Sequence, residues 1–210
     1  PQGSTLGPLL FTIYMNDVCF ASPFKCILFA DDTSLIDSIK KNDMRGSNIH
    51  ISADINRGIS KVCDWLAVNK LSLNVSKTKF MMFHWYQNQN AVQFYPNLTI
   101  GTSQLERVNT FKYLGVKIDN NLTWNNHVNE VCNKLSRLNG VLSKVKNYIN
   151  SDVLLQIYNA LFLPHVNYAI SIWGFNSCPR LKRIQKKSVH IITKLKYNAH
   201  SEPILKSLNC

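Results

Sequence analysis

The pattern of hydrophobic and polar positions changes period along this chain. Up to about residue 120 the apolar runs are short and broken by polar pairs; from Trp124 they recur every three or four residues. Leu9, Leu10, Ile13, Tyr14 and Val18 follow Pro8 at helical spacing, and proline suits the first turn of a helix. Two runs, 26–29 and 33–36, flank a polar pair and predict a β-hairpin. Ile55, Ile59, Val62, Cys63 and Leu66 predict a helix lying across the back of a sheet. Thr78 to Phe83 reads as a strand, Gln87 to Asn90 as a polar loop. Leu98 to Ile100, Leu105 to Val108 and Phe111 to Ile118 read as short strands around Gly101 and Asn109.

In the second half, Val128, Val131, Cys132, Leu135, Leu138, Leu142, Val145 and Ile149 keep 3-and-4 spacing, a stripe that reads as core rather than interaction seam. Two further helices, Asp152 to Phe162 and Pro164 to Trp173, should pack on it, the first opening at Ser151-Asp152. Gly140 inside the stripe costs about 1 kcal/mol against Ala and reads as a site of close packing or a bend. The fold class expected is α+β.

Composition narrows the function classes. A length of 210 residues at 45% hydrophobic content can build one or two domains with a core. No apolar run approaches the roughly 20 residues that span a bilayer, so no membrane partner is expected. Cys19, Cys26, Cys63, Cys132, Cys178 and Cys210 form no C-x-x-C pair; reduced thiols and an intracellular setting follow, not a zinc or disulfide framework. The chain opens on Pro1 without an initiator Met or signal peptide, and reads as a stretch inside a longer frame or a decayed element. Its three sequons, at Asn74, Asn97 and Asn121, read as coincidence in an Asn-rich chain. The six His lack H-x-x-x-H spacing, Ser4 and Ser34 have no neighbouring His, and no Gly-rich P-loop is present. Trp65, Trp85, Trp124 and Trp173 read as packing residues.

Charge distribution says more than its sum of +12. Residues 1–105 carry 9 Lys/Arg against 7 Asp/Glu (9 − 7 = +2), residues 106–210 carry 15 against 5 (15 − 5 = +10). Lys and Arg bind phosphates by displacing counterions, without reading sequence. The densest run, Arg180 to Lys187 and on to Lys194 and Lys196, interleaves cations with Leu181, Ile184, Val189, Ile191, Ile192 and Leu195. It predicts an amphipathic basic helix, able to lie on a nucleic-acid backbone through Lys182, Arg183, Lys186 and Lys187 or to face solvent.

Phe29-Ala30-Asp31-Asp32 carries the candidate chemistry, with both acids at the expected hairpin tip. Two like charges side by side are costly to bury, and a divalent cation repays that cost: Mg²⁺ favours one or two carboxylates plus substrate phosphates. The dipeptide alone reads more readily as a solvated Asp-Asp turn; the flanking sequence favours the metal. Around them, in order, stand Pro1-Gln2-Gly3-Ser4, Trp65-Leu66, Asn69 to Asn74, Lys77-Thr78-Lys79 and Phe111 to Val116. This ordered set resembles the reverse transcriptase of non-LTR (LINE-like, Jockey/CR1-like) retrotransposons, over roughly residues 1–175.

The resemblance implies a metal-dependent, RNA-templated DNA polymerase. Asp31 would be a ligand of two catalytic Mg²⁺ (or Mn²⁺) ions and Asp32 a nearby acid with a smaller role. Gln2, Gly3 and Ser4 would pack near the template base and incoming nucleotide, with Lys77 (ahead of Lys79) near the triphosphate. Phe111, Tyr113, Leu114 and Gly115 would form the hairpin that cradles the primer end. The implied organisation is a partial palm, an antiparallel sheet with packed helices, over 1–120, a thumb-like helical region over 121–175 and a basic helical segment over 176–210. Implied partners are an RNA template, a DNA primer and deoxynucleoside triphosphates, with the oligomeric state left open. The implied location is nucleus or cytoplasm, as a ribonucleoprotein of the parent element. The family holds its metals with three acids, one on a strand ahead of the Gln-Gly loop, and closes a fingers region over the nucleotide. Neither is found here, and the other early acid, Asp17, reads as a solvated helix terminus or local cap. The expectation is therefore a polymerase fragment; the alternative is a catalytically inert, nucleic-acid-binding remnant.

Overall fold

Two apolar clusters, one in each half of the chain, organise a computed structural model that describes residues 4–39, 48–83, 96–175 and 178–194. The chain divides into compact units Pro1–Asn109 and Thr110–Cys210. Both mix helices with small sheets, as an α+β reading expects; in place of the one antiparallel sheet expected of a palm, the described residues form four separate two-stranded sheets, one of them parallel.

In the first unit, α1 (Leu6–Met15) and α2 (Val18–Ala21) lead into the hairpin of β1 (Lys25–Phe29) and β2 (Asp32–Ile36). Helix α3 (Asn48–Val68) follows, then β3 (Lys79–Phe80), β4 (Thr99–Ile100), β5 (Ser103–Gln104) and β6 (Glu106–Arg107). Met15, Val18 and Val62 form the buried centre, with Cys26, Leu28 and Leu35 of the hairpin and Trp65 and Leu66 of α3 against it. Of the predicted α3 stripe, Val62 and Leu66 join the cluster that the inner hairpin face also meets; Ile55, Ile59 and Cys63 are half-buried outside it. Gly58 permits the close approach of α3 to the segment between α2 and β1: a Cβ there would run into the Phe24 ring. Asn56 ties α3 to β4, donating to the Asn97 carbonyl (2.9 Å) and accepting from the Thr99 N–H (3.0 Å).

Several expectations change here. The α1 helix forms, but Leu9, Leu10 and Ile13 are exposed, so its apolar stripe is uncovered. The strand expected over Thr78 to Phe83 shortens to Lys79–Phe80, which pairs in parallel with Glu106–Arg107 beside a Lys79–Glu106 ion pair. The loop at Gln87 to Asn90 lies outside the described residues.

The second unit opens with the hairpin of β7 (Thr110–Tyr113) and β8 (Val116–Asp119), then α4 (Asn125–Val145), α5 (Ser151–Ile157), a π-helical turn (Tyr158–Phe162), α6 (Leu163–Asn167), α7 (Ile170–Trp173) and α8 (Pro179–Thr193). Its core joins Val131, Leu135 and Leu142 of α4 to Leu154, Tyr158, Phe162, Val166, Ile191 and Ile192. The predicted α4 stripe is thus core over most of its length, but the helix ends at Val145, before Ile149. Gly140 meets nothing within 4 Å of a built Cβ, so close packing does not explain it.

The helices expected over 152–162 and 164–173 divide differently. A near-continuous helical path runs from Ser151 to Asn167, and Pro164 does not break it. Proline lacks an N–H and its ring clashes with the carbonyl four residues back; the wide π turn just before it accommodates both defects. The break comes instead at Ala169, left-handed at φ +53°. Asn150, rather than Ser151, caps α5, accepting from the Val153 N–H at 3.0 Å.

Candidate functional site

The acids sit where the sequence places them, at a hairpin tip. Phe29 faces Asp32 across a two-residue connection, so Asp31 lies in the turn and Asp32 opens β2. Both are exposed. A turn this tight requires a positive φ, usually supplied by glycine, and here Ala30 takes it at +51°. A left-handed non-glycine residue costs on the order of 1–3 kcal/mol and is held only where the surroundings over-determine it. The same register puts Asp32 on the outer face with the exposed Ile27 and Phe29, while Cys26, Leu28 and Leu35 anchor the inner face.

Both carboxylates are hard oxygen donors, the ligand type Mg²⁺ and Mn²⁺ prefer, and they fit as part of a metal-binding set. Among the described residues no group of three His, Cys, Asp or Glu could hold an ion, so these two would be a partial set. Asp17 is exposed and precedes α2 without a side-chain capping bond. Cys26 and Cys132 offer no substitute chemistry. Burial and the neighbouring Cys19 push Cys26 up to about 12. Burial and Cys178 push Cys132 up to about 11. Such thiols are not nucleophilic at neutral pH.

Of the other expected site residues, Gln2 and Gly3 lie outside the described residues. Ser4 accepts from the N–H groups of Leu6 (3.2 Å) and Gly7 (3.4 Å), ordering the start of α1. Lys77 is exposed in a turn fixed by Asn74, whereas Lys79 is engaged by Glu106. Phe111, Tyr113, Leu114 and Gly115 lie on the β7–β8 hairpin, whose turn residues Leu114 and Gly115 both have positive φ (+45° and +85°). On α8, Lys182, Arg183, Lys186 and Lys187 are exposed while Ser188, Val189, Ile191 and Ile192 are buried; Leu195 and Lys196 lie outside the described residues.

Sequence reasoning missed a second basic surface in the same unit. A shallow concavity of about 530 Å³ is lined by Lys117 of β8 with Asn126, Asn129, Glu130, Asn133, Lys134 and Arg137 of α4. A smaller one of about 180 Å³, sharing Lys117 and Asn126, adds Thr110, Phe111 and Lys112. Arg180, outside both linings, holds two side chains of the larger one, donating to the side-chain oxygens of Asn129 (3.2 Å) and Asn133 (2.8 Å). The signal of this surface lies in the polar positions complementary to the α4 stripe, which are sparser in cations than the run at 180–187. Lys112 and Lys117 face each other directly across the hairpin, and like charges so placed repel. Glu130 relieves Lys117 at 2.9 Å and Lys134 at 3.1 Å, and these bonds lower its carboxyl to about 2. Four cations against one acid leave this lining at +3 (4 − 1), suited to an anionic strand.

Over 93% of its length this chain is 24% identical to the RNA-directed DNA polymerase from mobile element jockey of Drosophila funebris. It is 28% identical over 88% of its length to the probable RNA-directed DNA polymerase from transposon X-element of Drosophila melanogaster. Over 82% of its length it is 26% identical to the Pol polyprotein from type-1 retrotransposable element R1 2 of Nasonia vitripennis. The chain spans about one fifth of the first two relatives (21% and 20%). No solved structure matches it. The family model for reverse transcriptase (RNA-dependent DNA polymerase) matches residues 1–118, from the Gln-Gly segment through the acidic hairpin to β8. On that match, which takes in more than half of the sequence, the chain belongs to the reverse transcriptase family.

Proposed function

We propose that this chain is the part of a retrotransposon reverse transcriptase that carries the acidic palm hairpin and the primer-side grip. The observation that supports this best is the exposed Asp31-Asp32 pair on a strained tip, inside the stretch that matches the family. In this reading residues 1–120 belong to the palm, 121–175 to a thumb-like region and 176–210 to a basic extension. Asp31 and Asp32 would hold divalent cations that, when bound, acidify the primer hydroxyl and neutralise the leaving pyrophosphate. Gln2, Gly3, Ser4 and Lys77 would position template base and incoming nucleotide. Phe111 to Gly115 would meet the primer end, and the basic lining from Lys112 to Arg137 would follow the phosphates of an RNA–DNA hybrid.

Salt dependence of hybrid binding tests this. Fluorescence anisotropy on an oligo(rA)–oligo(dT) duplex should show affinity falling steeply with salt, each phosphate contact adding about 0.9 to the log–log slope. Charge reversal at Lys112, Lys117, Lys134 and Arg137 should flatten that slope more than reversal at Lys182, Arg183, Lys186 and Lys187. A wild-type curve flat between low and physiological salt would overturn the reading. Equal effects from both sets would show that α8 binds as well.

A further inference from the structure

We propose that Tyr168 is the positioning residue for the tip of the β7–β8 hairpin. The inference rests on the reading of that hairpin as a primer contact. A lone two-stranded hairpin is marginally stable, and this one has only four residues per strand. Its turn is also strained at Leu114, a non-glycine residue at φ +45°, so something must hold it. The Tyr168 hydroxyl donates to the Leu114 carbonyl at 2.5 Å. Its ring lies over Gly115, where a Cβ would come within 3.3 Å of Cε1. Tyr168 is itself fixed from behind, its carbonyl accepting the indole N–H of the buried Trp173 at 2.8 Å.

Trp173 also meets the His127 ring edge-on at 5.3 Å, and His127 Nδ1 accepts the Lys117 N–H at 3.2 Å. The turn and the second strand are therefore held by two arms that meet at one tryptophan. One arm is structural throughout. The other ends in an exposed side chain, Tyr168 being 55% accessible, whose hydroxyl has one evident task. Burial does not explain a tyrosine there; the bond to the turn does.

The test uses Tyr168→Phe in the 210-residue chain, which removes one hydroxyl from an exposed ring. Amide hydrogen exchange at Gly115 and Val116 should quicken roughly five- to tenfold, the scale of one lost hydrogen bond, while α4 amides keep their rates. The off-rate from an RNA–DNA hybrid should rise by a similar factor, while the melting temperature falls by no more than the few degrees that one hydrogen bond is worth. Phe111→Ala and Lys112→Ala serve as the separate check on the hairpin's contact with nucleic acid. Unchanged exchange in Tyr168→Phe would overturn the inference outright. If the Phe111 and Lys112 variants release hybrid faster and Tyr168→Phe does not, positioning fails while the primer reading stands. Indifference of hybrid binding to all three would overturn the primer reading and this inference with it.

Discussion

Single positions in this chain carry strain or slack that has a measurable sign. Gly140 sits inside a 21-residue helix with open space where its Cβ would be and no positive φ to require it. It therefore contributes only the entropy cost of glycine in a helix. Gly140→Ala should raise stability by about 0.5–1 kcal/mol, read as a higher denaturation midpoint at an unchanged m-value. A loss of stability would mean that the space is filled in solution. The acidic tip was legible as a hairpin from the apolar runs that flank it, but as a site only through the surrounding motifs, because an Asp-Asp pair alone reads more readily as a solvated turn. Ala30 was not legible, since nothing local marks an alanine for a positive φ; only the two-residue connection forces it. Arg180 was legible as charge but not as a ligand of Asn129 and Asn133, partners that only the packing of α8 on α4 brings near.

At the scale of elements, the β8–α4 junction sets how the second unit responds to acid. Burial lowers the His127 imidazole below its ordinary 6.5, with Glu130 opposing and Lys134 and Lys117 assisting. Its Nδ1 must stay unprotonated to accept the Lys117 N–H. Burial opposes ionisation of Asp119, yet the N–H groups of Thr123 and Trp124, the Thr123 hydroxyl and the Asn121 N–H outweigh it and lower its carboxyl. Each of these groups takes up its proton more readily unfolded than folded. Their stabilisation is thus present above the unfolded pKa and lost as pH falls through the folded value. Melting temperature should decline in two stages, first below about 6.5 through His127 and then below the usual carboxylate range through Asp119 and Glu130. His127→Phe should melt lower at pH 7.5 but lose the first decline; a wild-type slope between pH 7.5 and 5.5 in that variant would refute the assignment. Long stripes such as α4 were readable because burial of one helix face dictates their period. Element ends were not, because Asn150, the π turn before Pro164 and the left-handed Ala169 act through local geometry that periodicity does not encode.

At the scale of the whole chain, the question is whether these 210 residues polymerise unaided. They match a fifth of the length of their polymerase relatives, and their described residues offer two carboxylates at the tip with no third ligand beside them. Two ions held roughly 4 Å apart need bridging ligands that one hairpin does not provide. Positioning and electrostatics make up nearly all of phosphoryl-transfer catalysis, so an incomplete set costs many orders of magnitude. We therefore expect no Mg²⁺-dependent deoxynucleotide incorporation on poly(rA)–oligo(dT) by the 210-residue chain, although it should bind that substrate. A polypeptide of the relatives' length that contains this stretch should extend the primer. There Asp31→Asn should cost more than Asp32→Asn, because the resemblance assigns Asp31 to both ions and Asp32 a lesser role. Robust, Asp31-dependent extension by the short chain would refute its incompleteness, and equal losses from the two substitutions would refute their division of labour. Silence from the long polypeptide, with hybrid binding intact, would leave a chain that grips nucleic acid without copying it.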